Sequence, residues 1–413
     1  MNMHNTLPFL DLRAIHDTIK PELMAILEHA IETGSFVGGA ELENFEKEFA
    51  AYCGTAYCIG LNSGTDALRF ALMAVIPPGT AVVTVPNTFI ATTEAITQAG
   101  ALPIFVDIDA RTCNMDPEAL ARFLSTECSW SGRKGDRPIH LDSGKTVSAI
   151  VPVHLYGQPA DMDSLQTLAD KYNILVLEDA CQAHGARYFS GKRNMWRIAG
   201  SMSTAAAFSF YPGKNLGALG EAGAVTTDDP EIAATVRLLR EHGSIKKYYH
   251  TIEGYNGRMD AIQAGFLKVK LPFLKEGNHR RRQCANYYDK RLAGLPGLVT
   301  PFEPDKVIGN FHLYVIHAQR RDDLQLHLSE QGIATGRHYP VPLHLQVAYQ
   351  HLGYGKNAFP VAEETSLLGL SLPMYPSLSL ADLDRVIEAI YSFYGSRGSY
   401  ADEAMSLSGE AAS

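Results

Sequence analysis

The pattern of apolar segments predicts an α/β protein in which a large domain with a mostly parallel sheet is followed by a smaller α+β domain. Three observations carry that expectation. Between residues 56 and 177, short apolar runs alternate with segments of helical periodicity, the rhythm of β-α-β units. The run Asn173-Ile174-Leu175-Val176-Leu177 has no polar alternation, as a strand covered on both faces should not. From about residue 272 the rhythm changes to helices around few strand candidates. The expected boundaries are therefore 1–271 for the large domain with its N-terminal segment, 272–394 for the small domain, and a disordered Ser-, Ala-, Gly- and Glu-rich tail over 395–413.

In order, residues 7–12 look extended and Ile19–Glu32 carry helical spacing, interrupted by Gly38-Gly39 before a second helix through Phe45 and Phe49. Ala56–Leu61 reads as a strand running into Asn62-Ser63-Gly64-Thr65-Asp66, where Ser63 and Asp66 make a capping-box-like helix start. Strands are expected at Ala81–Val85, Leu102–Val106 and Ala149–His154, and helices at Thr88–Gln98, Pro117–Leu124 and Asp163–Tyr172. Residues 125–146 are a polar surface excursion. Beyond Gly223 the spacing gives helices at 230–240, from Met259 to Leu292, at 322–331 and near Val361 and Leu380, with one strand at His312–Ala318.

The chemistry concentrates between Asn173 and Gly223. Asp179 closes the first strand, at the end where ligands of open α/β sheets gather. A second apolar run, Ala205–Phe210, leads through Pro212-Gly213 to Lys214, followed by Gly217, Gly220 and Gly223, which let backbone come close to a ligand. A lysine and an aspartate so delivered suit pyridoxal phosphate: the amine forms a Schiff base with the aldehyde, and the carboxylate keeps the ring nitrogen protonated. Taken singly, each is an ordinary turn lysine or strand-end aspartate; it is the combination that points to the cofactor. After the strand Ala56–Leu61, the amides of Gly64 and Thr65 and the helix dipole would suit its phosphate, although Ser-Gly-Thr by itself is more often only a helix cap. Phe89, just after a strand, could cover one face of its ring; taken alone it is more often a core phenylalanine at a helix start.

The 413 residues, 46% hydrophobic and 20% charged, have ordinary globular composition. A net charge of −9 argues against a nucleic-acid surface. No segment approaches the eighteen or so apolar residues of a membrane span, and the first twelve residues do not form an export signal. Six cysteines without a paired spacing favour reduced thiols and a cytoplasmic protein. His338 and His344 lack an HExxH-like setting, so no metal is expected. Gly217–Gly223 is not GxGxxG between a strand and a helix, which argues against a nicotinamide oxidoreductase.

Several ordered motifs together resemble the DegT/StrS family of pyridoxal phosphate-dependent sugar aminotransferases, of the aspartate-aminotransferase fold (fold type I). They include Asn62–Leu68, Thr88-Phe89, Val153–Gln158, Glu178–Ala186, Phe208–Gly217, Gly254–Asp260 and His338-Tyr339-Pro340. The resemblance implies that Lys214 binds the cofactor aldehyde, that Asp179 pairs with its ring nitrogen and that Gln182 lies beside its phenolic oxygen. It also implies that Gly64, Thr65 and Ser209 hold the phosphate, with Phe89 stacked on the ring. Asn256 would reach the cofactor of a neighbouring subunit, which makes the expected state a homodimer with shared sites. Tyr211, Lys247, His338, Tyr339 and His344 are expected substrate contacts. The retained lysine disfavours the family's dehydratase branch, which uses histidine there. Ser201-Met202-Ser203-Thr204 departs from the Gly-Asp of many relatives, with an open effect on loop geometry.

The wording around Lys214 is most like enzymes that transfer nitrogen from L-glutamate to C3 of a dTDP-linked 3-keto-6-deoxyhexose. A UDP-3-keto-uronate, a 4-keto sugar or a keto-cyclitol is the alternative acceptor, and a non-catalytic ligand sensor is the reading from a different class.

Overall fold

The structure, a computed structural model, describes residues 6–395; the expected tail, apart from Gly395, lies outside the described residues. At its centre is a seven-stranded sheet built from β1 (Tyr57–Leu61), β2 (Ala81–Thr84), β3 (Leu102–Phe105), β4 (Val147–Ile150), β5 (Leu175–Asp179), β6 (Ala205–Ser209) and β7 (Gly223–Thr227). Its spatial order is β1-β7-β6-β5-β4-β2-β3. The pairs from β6 to β3 are parallel, and β7 is antiparallel to both its neighbours. Because β1 and β6 each oppose β7, they run the same way, so the carboxyl ends of β1, β5 and β6 lie on one edge.

Side chains show why these strands read as unbroken apolar runs. Along β6, Ala205 and Ala207 enter one core with Leu61, Phe70 and Val225, while Ala206 and Phe208 enter another with Phe45, Phe49 and Leu267. Successive residues face opposite sides of a sheet, and here both sides are covered. In the second core Phe49 meets Phe208 and Phe210 edge to face, at centroid distances of 5.0 and 5.2 Å.

Two expectations are corrected. The helix expected from Thr88 begins at Ala91, because Asn87 and Thr88 are held outside it: Asn87 Nδ2 donates to the Cys113 carbonyl at 2.9 Å, and the Thr88 and Thr92 hydroxyls bond at 3.0 Å. The glycine-rich stretch ending at Gly223 runs directly into a strand, β7, whereas sheet alternation was expected to stop there. Gly223 opens that strand because a Cβ on it would sit 2.2 Å from the Ser63 carbonyl oxygen.

A second sheet, β8 (Leu298–Val299), β9 (Tyr314–Ala318) and β10 (Gly369–Leu372), is antiparallel in the order β8-β9-β10. Helices Leu274–Leu292, Arg321–Glu330 and Leu380–Gly395 cover it, burying Tyr288, Tyr314, Leu324, Leu370 and Ile387 in a core of its own. The start of the chain joins this body. Leu7 is buried in that core, its N–H donates to the Gly332 carbonyl at 2.8 Å, and its carbonyl accepts from Ala334 at 3.0 Å.

Candidate active site

A cavity of about 540 Å³ opens where the carboxyl edge of the large sheet meets the second body. Its walls include Gly64, Thr65, Phe89, Asp179, Gln182, Ser209 and Lys214. Each arrives for a local reason. Ser63 Oγ accepts from Asp66 N–H at 3.1 Å and starts the helix Gly64–Val75, whose first amides are free of helical partners. Gly64 packs against the end of β6 so closely that a Cβ would lie 2.6 Å from Ser209 Cβ. The resulting cradle of amides and hydroxyls suits a phosphate.

Asp179 ends β5 buried, at 6% exposure. Its Oδ2 accepts from Thr92 Oγ1 at 2.8 Å and its Oδ1 from Cys181 N–H at 3.2 Å, so the carboxylate is held from both sides. Beneath it, fully buried Glu178 accepts from His154 Nε2 at 2.9 Å, Gly200 N–H and Met202 N–H at 2.7 Å, and Ser203 Oγ at 3.0 Å. The Ala160 N–H donates to His154 Nδ1 at 3.1 Å, which assigns the histidine proton to Nε2. Burial alone would raise the Glu178 carboxyl, but the His154 bond and the backbone donors hold it below the ordinary glutamate value. The departing loop Ser201–Thr204 therefore serves the site from below, because Met202 and Ser203 fasten Glu178.

Gln182 is fixed just as firmly. Its Oε1 accepts from Tyr156 N–H at 2.6 Å and its Nε2 donates to Tyr339 Oη at 3.1 Å. The Tyr156 hydroxyl in turn bonds the His338 carbonyl, and the His338–Tyr339 peptide is cis. Lys214 follows a turn closed by its N–H to the Tyr211 carbonyl at 2.8 Å. Burial lowers the Lys214 ammonium from its ordinary value, against the opposing pull of Cys181 and Asp179. An amine eased toward neutrality suits a nucleophile and a base.

Of the weaker expectations, Tyr211, His338 and Tyr339 line the cavity. Phe89 and Tyr211 are each 54% exposed, and the Phe89 ring lies 5.7 Å from that of Tyr339. Three residues are not brought in. Lys247 is exposed in the turn of the hairpin Ser244–Lys246/Tyr249–His250, and exposed Asn256 pairs with Glu241 in an isolated bridge. His344, expected as a rim contact, is instead 1% exposed with Nε2 bonded to Glu363 at 3.0 Å, a core histidine outside the cavity wall.

Sequence reasoning missed Thr92, Tyr156, Arg281 and His312. Arg281 carried a signal. The buried positions Leu274, Arg281, Ala285, Tyr288 and Leu292 repeat at helical spacing, so an arginine stands where the period calls for an apolar side chain.

A pyridoxal phosphate group presents an aldehyde, a basic ring nitrogen, a flat ring and a phosphate. The cavity offers a lysine amine, a fixed carboxylate, an exposed aromatic ring and the glycine-tight amide cradle, so the residues present fit it. The fold and this set of groups define the class of pyridoxal phosphate-dependent aminotransferases. Within it, the chain belongs to the DegT/DnrJ/EryC1/StrS aminotransferase family, which matches residues 17–391. It is 41% identical over 384 residues, 93% of its length and 95% of the relative's, to dTDP-3-amino-3,4,6-trideoxy-alpha-D-glucose transaminase of Streptomyces venezuelae. It is also 41% identical over 390 residues to the "pleiotropic regulatory protein" of Geobacillus stearothermophilus, with 94% of this chain and 98% of that protein covered. The solved structure of S. venezuelae DesV in complex with a ketimine intermediate superposes with a TM-score of 0.86 at 40% identity, covering 94% of this chain and 98% of that one.

Proposed function

We propose that this protein moves an amino group from L-glutamate to C3 of a dTDP-linked 3-keto-6-deoxyhexose. The observation that carries the reading is one cavity lined by Lys214, by Asp179 held between Thr92 and Cys181, and by the Gly64-Thr65 cradle. When bound, the cofactor supplies an electron sink for the carbon that gives or receives nitrogen. Lys214 would hold its aldehyde carbon, and its Nζ, when free, would take and return the proton at the donor Cα. Asp179, whose orientation Thr92 fixes, would keep the ring nitrogen protonated. Gln182, set by Tyr156 and Tyr339, would present its amide to the phenolic oxygen. Gly64, Thr65 and Ser209 would hold the phosphate, Phe89 would cover the ring, and Tyr211, His338 and Tyr339 would meet the substrates.

The working unit is a homodimer. Asn256 and Lys247 lie outside their own chain's cavity; Ile245, Tyr248 and Tyr249 leave apolar surface exposed nearby in sequence, and so do Phe36 and Val37, where Val37 bridges to Asp260, which supports their service to a second subunit. The two domains, 1–271 and 272–394, would meet across the site, with the segment at Leu7 crossing to the second core and Leu343, Tyr349 and Phe359 returning to the first. Six free cysteines, with no helix long and apolar enough to cross a membrane among the described residues, support a cytoplasmic setting.

The test is the visible absorbance of the purified protein with its cofactor. Yellow colour should bleach with L-glutamate and return with the dTDP-linked 3-keto sugar. Return only with a UDP-linked uronate, a 4-keto sugar or a keto-cyclitol would replace the acceptor. Cofactor binding without amine exchange would support the sensor reading instead, the one that the regulatory name of the G. stearothermophilus relative favours.

A further inference from the structure

We propose that Arg281 anchors a carboxylate of the amino donor. The inference rests on the aminotransferase reading and assigns a recognition residue to its first half-reaction.

Arg281 comes from the helix Leu274–Leu292 of the second body and forms part of the cavity wall, although only 2% of its surface is exposed. Its Nη1 donates to the carbonyls of Phe311 and His312 at 3.3 Å and of Met374 at 2.8 Å. Those bonds pin one end of the guanidinium. Nε and Nη2 make no hydrogen bond among the described residues, and neither is fully enclosed by protein. No carboxylate among the described residues pairs with it. A buried cation satisfied only by neutral carbonyls is expensive unless an anion joins it.

The surroundings favour an anion from outside. Asp179 is already engaged by Thr92 and Cys181. The histidines that share the cavity wall with Arg281 are held neutral: burial, then the charge of Lys214, lowers His312 well below its ordinary value and brings His338 to about 4. Lys214, His312 and Arg281 line the same cavity, and His312 feels the charge of both cations, so the guanidinium and the reacting amine share one chamber. The phosphate cradle at Gly64 belongs to the other body, at the carboxyl edge of the large sheet. A donor whose amine reaches the chamber beside Lys214 can set a carboxylate on the free edge of Arg281, and a planar guanidinium edge matches the two oxygens of a carboxylate.

The experiment compares the cofactor-loaded parent with Arg281→Gln and Arg281→Lys. Binding of glutarate, an unreactive dicarboxylate, is followed by calorimetry, and bleaching by L-glutamate is followed separately from the second half-reaction, started with protein preloaded with the amine form. Arg281→Gln should weaken glutarate binding and raise the glutamate concentration for half-maximal bleaching by at least about thirtyfold, with the second half-reaction much less affected. Arg281→Lys, which keeps the charge and an amine for the carbonyls, should weaken both by less. It also decides the matter if the glutamine variant does not fold.

Donors missing one carboxylate locate the contact. If 4-aminobutyrate, without the α-carboxylate, is insensitive to the substitution, Arg281 holds that group; if norvaline, without the distal carboxylate, is insensitive, it holds the other. Glutarate and glutamate unaffected in both variants would overturn the proposal, as would equal losses in the two half-reactions accompanied by a lowered melting temperature, the signature of a purely structural arginine. A parent that exchanges amine while the variants behave like it removes only the role of Arg281; a parent that exchanges none removes the donor reading as well.

Discussion

Gly64→Ala tests whether the contact between helix start and strand end creates the cofactor cradle. The new methyl would stand 2.6 Å from Ser209 Cβ, 3.0 Å from Ser209 Cα and 3.1 Å from Cys181 Sγ. Carbon atoms in contact settle at about 3.5–4.0 Å, so the helix start and the end of β6 must part by roughly 1 Å. The first two obstructing atoms are a backbone carbon and the β carbon attached to it, and no rotamer change relieves them. Overpacking of this kind costs about 1–3 kcal/mol in stability. The separation also spoils convergence of the Gly64 and Thr65 amides and the Ser209 hydroxyl on one anion. Losing a single hydrogen bond to a charged group, worth about 1.5–3 kcal/mol, weakens cofactor binding by roughly tenfold to a hundred and fiftyfold.

The assay is a titration of cofactor-free protein with pyridoxal phosphate, read by visible absorbance, beside a thermal melt. Gly213→Ala is the control: next to Lys214, its added Cβ comes no nearer than 3.5 Å, to Leu10 Cδ2, and should leave binding within about twofold. A Gly64→Ala protein with parental cofactor affinity and melting temperature would refute the reasoning, because the clash would then be absorbed without disturbing the cradle.

Three further outcomes follow from the same geometry. Lys214→Ala should abolish nitrogen transfer while far-ultraviolet circular dichroism stays parental; transfer at the parental rate would remove Lys214 from the chemistry. Glu178→Ala strands four donors, His154, Gly200, Met202 and Ser203, and should cost about 3–5 kcal/mol in a denaturant titration; a cost below about 1 kcal/mol would contradict the buried network. Burial and Lys214 bring His184 to about 3 and His338 to about 4 in the folded protein. The unfolded chain therefore takes up their protons first, and this stability, full above pH ~6.5, is lost as the pH falls through the window toward 4 and 3. His338→Gln should flatten the melting profile between pH 6 and 4.5, and an unchanged slope would count against a neutral His338.

Much of the site was legible because it lies on short segments whose residue types have one good explanation together: a strand-end aspartate, a turn lysine, a capped helix start. Most of the sheet was legible for the same kind of reason, since strands such as β6 bury both faces and so lose polar alternation. The supporting partners were not. Thr92 acts across 87 positions of sequence on Asp179, and Gln182 meets Tyr339 across 157, distances over which periodicity carries no information. β7 was hidden because its first residue, Gly223, is required by contact with Ser63 and not by a turn. His344 misled because a histidine between prolines reads as a polar rim, whereas Glu363 gives its Nε2 a buried partner.

The stretch from Leu7 to Leu10 has a practical bearing on anyone who handles this protein. Leu7 is sewn to the strand-like segment around Ile333, and two and three positions later Phe9 and Leu10 face the reaction chamber, with Phe9 stacked 5.7 Å from His338. This short stretch is a place to seek altered acceptor preference by mutagenesis, since its side chains can be exchanged without touching the catalytic groups.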